Sequence, residues 1–189
     1  MRNDLFRGKL MRLTAENAQT MAEAMSKWSR DTEFWRLLAS DAARAFSVKS
    51  NKEWFEKELG KENPDWFYFA IRSLEDDRLI GFIDLGGIQW THGDAFVGIG
   101  LGERAYWGKG YGTDAMQVIL RYAFTELNLH RVSLGVFGYN SRAVKSYEKA
   151  GFAYEGRTRK MLQRDGRPWD MVFMGILKEE WEQMEGSDF

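Results

Sequence analysis

The sequence predicts an α+β protein, with a mixed, mostly antiparallel sheet of about seven strands flanked by helices. Three observations predict it. Residues 66–101 hold three β-rich stretches separated by turn residues, the mark of antiparallel neighbours. Residues 95–137 read as strand, helix, strand, which requires a parallel or near-parallel pair joined by a right-handed crossover. The last third adds two more β-rich stretches after a further helix, so both strand senses occur in one sheet.

Taken in order, Leu10–Leu13 alternates apolar and basic residues, which suits a short strand. Thr14 is a candidate cap for a helix running to about Trp28, with Ala18, Met21, Ala22 and Met25 on one stripe. Residues 31–60 read as helical pieces, including Asn51–Leu59, and end at Gly60. Asn63-Pro64-Asp65 is a turn. Trp66–Ile71, the Glu75-Asp76-Asp77 turn and Leu79–Leu85 form a hairpin, and Thr91-His92-Gly93-Asp94 turns into a strand from Ala95 to about Leu101. Gly110–Glu126 is a helix facing inward through Met116, Ile119, Leu120 and Ala123. Arg131–Phe137 is a strand, and Ser141–Ala150 a helix stopped by Gly151. Phe152–Met161 and Trp169–Leu177 are strands around a Gln163–Pro168 turn. No repeat or linker interrupts the chain, so residues 1–189 read as one domain.

Composition narrows the chemistry. Twenty-seven Lys and Arg against 28 Asp and Glu leave a net charge of −1, without the basic excess of a nucleic-acid binder. Cysteine is absent, which removes disulfides, thiolate metal sites and a thiol nucleophile. Two histidines, His92 and His130, do not make a His-rich metal centre, and no metal is expected. The first ten residues are polar, and no apolar run approaches a membrane span, so the expectation is a cytoplasmic protein without membrane partners.

The most informative segment is Gly98-Ile99-Gly100-Leu101-Gly102, followed by Trp107-Gly108-Lys109-Gly110-Tyr111-Gly112-Thr113 and a helix. Alternation along a strand puts Gly98, Gly100 and Gly102 on one bare face, which calls for close approach of a ligand or of another backbone. The loop leads into a helix N-terminus, where free N–H groups and the helix dipole favour an anion. A P-loop fails because Lys109 is followed by Gly110, and a dinucleotide fingerprint fails at Glu103 or at Thr113, depending on where it starts. A tight turn without ligand is the competing reading; the bare strand before the loop favours a phosphate ligand.

Asn140 opens the next helix as a good N-cap, and positions 143, 144 and 147 share its face. Tyr147 lies about 10 Å along the axis from Asn140. Taken alone, Asn140 reads as a plain cap and Tyr147 as a packed residue.

Together the segments resemble the GNAT superfamily of N-acetyltransferases, and within it the RimJ/RimL-type ribosomal-protein N-terminal acetyltransferase branch with its spermidine acetyltransferase relatives. Three local matches carry this: Val97–Leu101, Tyr106–Ala115 and Asn140–Phe152. Leu127–Arg131 and the Asp165-Gly166 turn with Asp170 fit as well. The resemblance implies acetyl-CoA as cosubstrate, seated between splayed strands near residues 100 and 133. It implies that Gly100, Leu101 and Gly102 meet the pantetheine arm. It assigns Trp107, Gly108, Lys109, Gly110, Tyr111, Gly112 and Thr113 to the pyrophosphate, and Asn140 and Ala143 to the cofactor arm. Tyr147 would be the acid that protonates the departing thiolate. Trp107 stands where the wider superfamily often has Gln or Arg, although an aromatic is familiar in this branch.

The acceptor amine must be neutral to attack. A lysine-like or polyamine nitrogen is only about one part in 10³ neutral near pH 7, whereas an α-amine is already substantially so. Direct attack in a ternary complex is expected, since no thiol exists to carry the acyl group. The base is open. Glu103 and Asp84 are candidates, each competing with an exposed structural carboxylate, and water-mediated deprotonation is the third option. Large aromatics crowd residues 28–69 and suit an acceptor pocket, core packing or a homodimer surface equally. The absence of a dense acidic cluster favours a peptide α-amine or a small-molecule amine over a polyamine. The rival classes are an acyl-CoA-binding sensor without turnover and a protein–protein module with an empty glycine turn.

Overall fold

The computed structural model describes residues 4–59 and 65–186; the Gly60 stop and the Asn63-Pro64 part of the turn lie outside them. Seven strands follow the chain as β1 (Met11–Thr14), β2 (Trp66–Ser73), β3 (Leu79–Gln89), β4 (Asp94–Leu101), β5 (Arg131–Phe137), β6 (Ala153–Arg164) and β7 (Arg167–Leu177). Six helices accompany them: α1 (Ala18–Trp28), α2 (Thr32–Leu38), α3 (Val48–Leu59), α4 (Tyr111–Arg121), α5 (Ser141–Lys149) and α6 (Lys178–Gly186). The strands form one sheet in the order β1-β2-β3-β4-β5-β7-β6. Every neighbour is antiparallel except β4 and β5.

That parallel pair positions the site. It holds only three residue pairs, Asp94↔Arg131, Ala95↔Val132 and Phe96↔Ser133. Beyond Phe96 the two strands part, while β3 stays registered with β4 as far as Leu101 and β7 with β5 as far as Phe137. A wedge therefore opens in the middle of the sheet.

Strand alternation sorts the two faces. Ile71, Ile83, Leu85, Ala95 and Val97 point into the main core with Ala115, Met116, Ile119 and Leu120 of α4. Ala70 points the other way, into a smaller cluster with Met21 and Ala22 of α1 and Phe55 of α3, against which Tyr68 and Phe82 pack. Helices α1 and α3 thus cover one face and α4 the opposite one. None of the described helices is long and apolar enough to cross a membrane.

The structure revises several sequence boundaries. Helix α1 is capped by Asn17, whose side chain accepts from the Thr20 amide at 2.9 Å. Thr14 instead ends β1 and donates its hydroxyl to Glu16 at 3.0 Å. Strand β3 continues to Gln89 through an irregularity after Gly86. The β6–β7 turn shrinks to Asp165-Gly166, both at positive φ (51° and 69°), as a two-residue hairpin requires. The Gly110–Glu126 helix divides into α4 and a π turn over Tyr122–Glu126. Helix α6 was not anticipated. It is mostly polar and is anchored by buried Trp181, whose ring lies 5.5 Å from that of Phe124.

Candidate active site

A cavity of about 470 Å³ occupies the wedge. Its walls are Phe34, Leu37 and Leu38 of α2, Ile99–Leu101 of β4, the loop into α4, and the first two turns of α5. Of the residues expected to meet the cofactor, Gly100, Leu101, Trp107, Gly108, Gly110, Gly112, Thr113, Asn140, Ala143 and Tyr147 line it. Gly102, Lys109 and Tyr111 do not. The Lys109 side chain is exposed. The Tyr111 ring turns into the core edge-on to Tyr106, with centroids 5.1 Å apart.

Loop geometry follows from its glycines. Gly108 (φ 72°) and Gly110 (φ 92°) hold left-handed conformations that a side chain would strain, and Gly110 is the N-cap of α4. Among the described residues no protein acceptor takes the main-chain amides of residues 108–113 outside helix α4 itself. The chain before the loop is pinned by Trp107, whose Nε1 donates to the Leu101 carbonyl at 2.6 Å. The guanidinium of Arg142 lies 4.0 Å from the centre of the Trp107 ring, and that of Arg104 lies 4.9 Å from it. The first turn of α4 is tied to α5 by the Thr113 and Ser146 hydroxyls at 2.9 Å.

The bare glycine face has a different cause from the one its pattern suggested. A Cβ on Gly98 would stand 2.8 Å from Asp84 Oδ1, one on Gly100 would stand 2.6 Å from the Phe82 ring, and one on Gly102 would stand 2.0 Å from the Trp28 indole. The three glycines make room for side chains of β3 and α1 rather than for a phosphate. What the site offers an anion is the loop with its main-chain amides.

Helix α5 presents its residues from the other side of the wedge. The Asn140 side-chain oxygen Oδ1 accepts from the Ala143 amide at 3.2 Å, so Asn140 is a cap that also lines the cavity. Tyr147 packs against Phe152, with ring centroids 6.1 Å apart. Burial pushes its hydroxyl up to about 12, so it is protonated at neutral pH and available as a donor.

The two carboxylate candidates separate sharply. Glu103 accepts from Lys27 Nζ at 2.5 Å and Trp28 Nε1 at 2.9 Å, and pairs with Arg78 at 3.0 Å. Burial alone would raise its pKa, but these partners outweigh it and hold it below the usual value. Glu103 does not line the cavity, and as a carboxylate committed to two cations it is a poor base; that expectation is corrected. Asp84 is not the exposed residue expected. It is half-buried on the α1–α3 side of the sheet, and desolvation pushes it up to about 6, with one opposing hydrogen bond from Trp66 Nε1 at 3.0 Å. The signal in the sequence was a single carboxylate inside the apolar run Leu79–Leu85. Among the described residues no three His, Asp or Glu side chains gather as a metal site would need.

Comparison with known proteins agrees with this geometry. Residues 9–153 match the acetyltransferase (GNAT) domain. The probable N-acetyltransferase YjcK of Bacillus subtilis is 38% identical over 127 residues, 65% of this chain and 67% of that protein. A spermidine N(1)-acetyltransferase of Vibrio cholerae is 35% identical over 113 residues, 60% of this chain and 64% of that protein. The crystal structure of spermidine N-acetyltransferase from Vibrio cholerae in complex with CoA and spermine superposes with a TM-score of 0.74. It covers 91% of this chain and 96% of that one at 24% identity, a likeness of fold. The chain belongs to the GNAT family of acetyltransferases, enzymes that move an acetyl group from a thioester donor to an amine.

Proposed function

We propose that acetyl-CoA enters the wedge between β4 and β5, with its diphosphate on the amides of residues 108–113, and that a primary amine attacks it directly. The carrying observation is the run of main-chain amides at the start of α4 that have no protein acceptor outside the helix, beside a cavity that continues into the split. The β5-facing groups of β4 beyond Phe96 have lost their strand partner and suit an extended amide-bearing arm. Asn140, its carbonyl oxygen used by the cap, keeps its amide NH₂ for the same arm.

Chemistry then needs an acid for sulfur and donors for the carbonyl oxygen. Tyr147 supplies the acid: it lines the cavity, burial keeps its hydroxyl protonated, and among the described residues that hydroxyl has no hydrogen-bond partner. Absence of cysteine excludes an acyl-cysteine intermediate, so a ternary complex is the direct route. The acceptor class in this proposal is a peptide α-amine or a small-molecule amine, with Phe34, Leu37 and Leu38 of α2 forming one wall.

The test is thiol release from acetyl-CoA with a panel of N-terminal peptides, amino acids, polyamines and aminoglycosides. Tyr147→Phe is expected to lower kcat by about 100-fold while leaving coenzyme A affinity unchanged. Tight coenzyme A binding without turnover on any amine, unaltered by Tyr147→Phe, would instead identify a sensor.

A further inference from the structure

The charge that lines the cavity is one-sided. The protein as a whole is nearly neutral, with 27 Lys and Arg against 28 Asp and Glu. The cavity wall nevertheless holds Arg142, Lys145 and Lys149 and no carboxylate. A smaller cavity of about 270 Å³, between α2 and the β6–β7 hairpin, mixes Glu33 and Asp165 with Arg36 and Arg164. Among the described residues none of the three cations of the main cavity is paired with a carboxylate, whereas Lys27, Arg36, Arg104, Arg131 and Arg157 all are. Glu148, the one acid of α5, does not line the cavity.

Helix α5 sets these cations in a row. Positions 142, 145 and 149 recur at helical spacing, and Lys149 lies about 10 Å along the axis from Arg142. Lys145 and Lys149, four residues apart, are surface neighbours, and a like-charged pair at that spacing weakens a helix unless an anion lies between its members. Arg142 stays at the loop, its guanidinium 4.0 Å from the centre of the Trp107 ring and so next to Gly108. Ser146 follows Lys145 and stands one turn before Lys149. Its hydroxyl meets that of Thr113 in the first turn of α4 at 2.9 Å, and a Cβ on Gly112 would stand 3.6 Å from it. The lysine pair therefore flanks the seam between α4 and α5.

We infer that Lys145 and Lys149 bind the phosphate monoester on the ribose of coenzyme A, its 3′-phosphate, and make the site selective for coenzyme A over the 3′-dephospho form. This rests on the acetyl-CoA reading above: with the arm running along β4 into the split and the diphosphate on the loop, the nucleoside end is left at the α4–α5 seam. Charge balance supports it. The diphosphate carries about two negative charges, and a phosphate monoester about 1.5 to 2 more at pH 7. A helix N-terminus supplies only about half a positive charge. The amides of residues 108–113 therefore fall well short of neutralising the donor, and the three cations make up nearly all of the difference. Arg142, beside Gly108, is placed for the diphosphate, which leaves the lysine pair for the second phosphate group. An ammonium is a compact charge on a flexible stem and suits a phosphate at a solvent-facing edge. Both lysines are exposed, so their attraction weakens as salt is raised.

The experiment is calorimetric titration of the intact protein with coenzyme A and with 3′-dephospho-coenzyme A, at low and at high salt. The wild-type protein should bind coenzyme A about 10-fold more tightly than the dephospho form, and the preference should shrink as salt is raised. The double variant Lys145→Gln, Lys149→Gln should bind coenzyme A about 10-fold more weakly, level with the dephospho form, whose own affinity stays within about twofold of its wild-type value. Lys145→Arg with Lys149→Arg should keep the preference. The Tm of both variants should match the wild type, since the two side chains are exposed. Equal wild-type affinity for the two ligands would overturn the inference. A loss in the Gln variant that is equal for both ligands would also overturn it, by assigning the lysines to the diphosphate. A preference left intact in that variant would overturn it by placing the 3′-phosphate elsewhere. If the wild-type protein binds neither ligand, the acetyl-CoA reading itself fails and this inference with it, a result distinct from binding without preference.

Discussion

At Asp84 the thermodynamic cost of a group can be followed with pH. Its ordinary value of 3.8 applies to the unfolded chain, and burial raises the folded value to about 6. The folded state therefore holds the proton more tightly. The stabilisation is fully present below the unfolded value and is lost as pH rises through 6, on the order of 3 kcal/mol in all. Asp84→Asn removes the ionisation. It is expected to raise Tm at pH 8 by about 10 °C, with the difference vanishing near pH 4. A wild-type Tm above that of Asp84→Asn at pH 8 would contradict the burial argument. Glu103 shows why residue roles were only partly legible. Asn140 and Tyr147 are assigned only through the resemblance of the whole Asn140–Phe152 segment, since their spacing alone reads as a cap and a packed residue. The partners that neutralise Glu103 as a base stand 76, 75 and 25 residues away in sequence, at Lys27, Trp28 and Arg78. No pattern near position 103 encodes them.

Among the elements, β5 and α5 match their sequence boundaries closely because strong strand formers and a cap–glycine bracket define them. Helix α6 escaped because a single buried tryptophan carries its packing. The bare face of β4 is legible in the sequence but its cause is not, since only the assembled sheet brings Trp28, Phe82 and Asp84 against it. Helix α4 carries the donor loop at one end and also anchors the start of the chain. Asp114, buried in its first turn, accepts from the amides of Lys9, Leu10 and Met11 at 2.9, 2.7 and 3.2 Å. The approach is close enough that a Cβ on Gly8 would come within 2.3 Å of its carboxylate. Asp114→Ala leaves these donors without their acceptor, at a cost on the order of 3 kcal/mol. Thermal unfolding should show a Tm about 10 °C lower, with a smaller loss for Asp114→Asn, which keeps one acceptor oxygen. An unchanged Tm would mean that the N-terminal segment is held by other contacts.

The molecule as a whole is a sheet interrupted once. Continuous antiparallel pairing on both flanks, β1 to β4 and β5 to β6, makes two stiff halves, and the three-pair parallel junction leaves the wedge between them. One end of that wedge carries an anion-seeking helix terminus, and one wall carries a protonated tyrosine. The strand–helix–strand reading of residues 95–137 made the parallel junction legible from sequence, but its shortness was not, because register depends on the flanking hairpins. A titration of isotopically labelled protein with coenzyme A, followed by backbone amide chemical shifts, examines the binding of the donor residue by residue. The largest shifts are expected at 108–113, with smaller ones along 99–101 and 140–147. Saturable binding that leaves the amides of 108–113 unmoved, while a different surface responds, would contradict it.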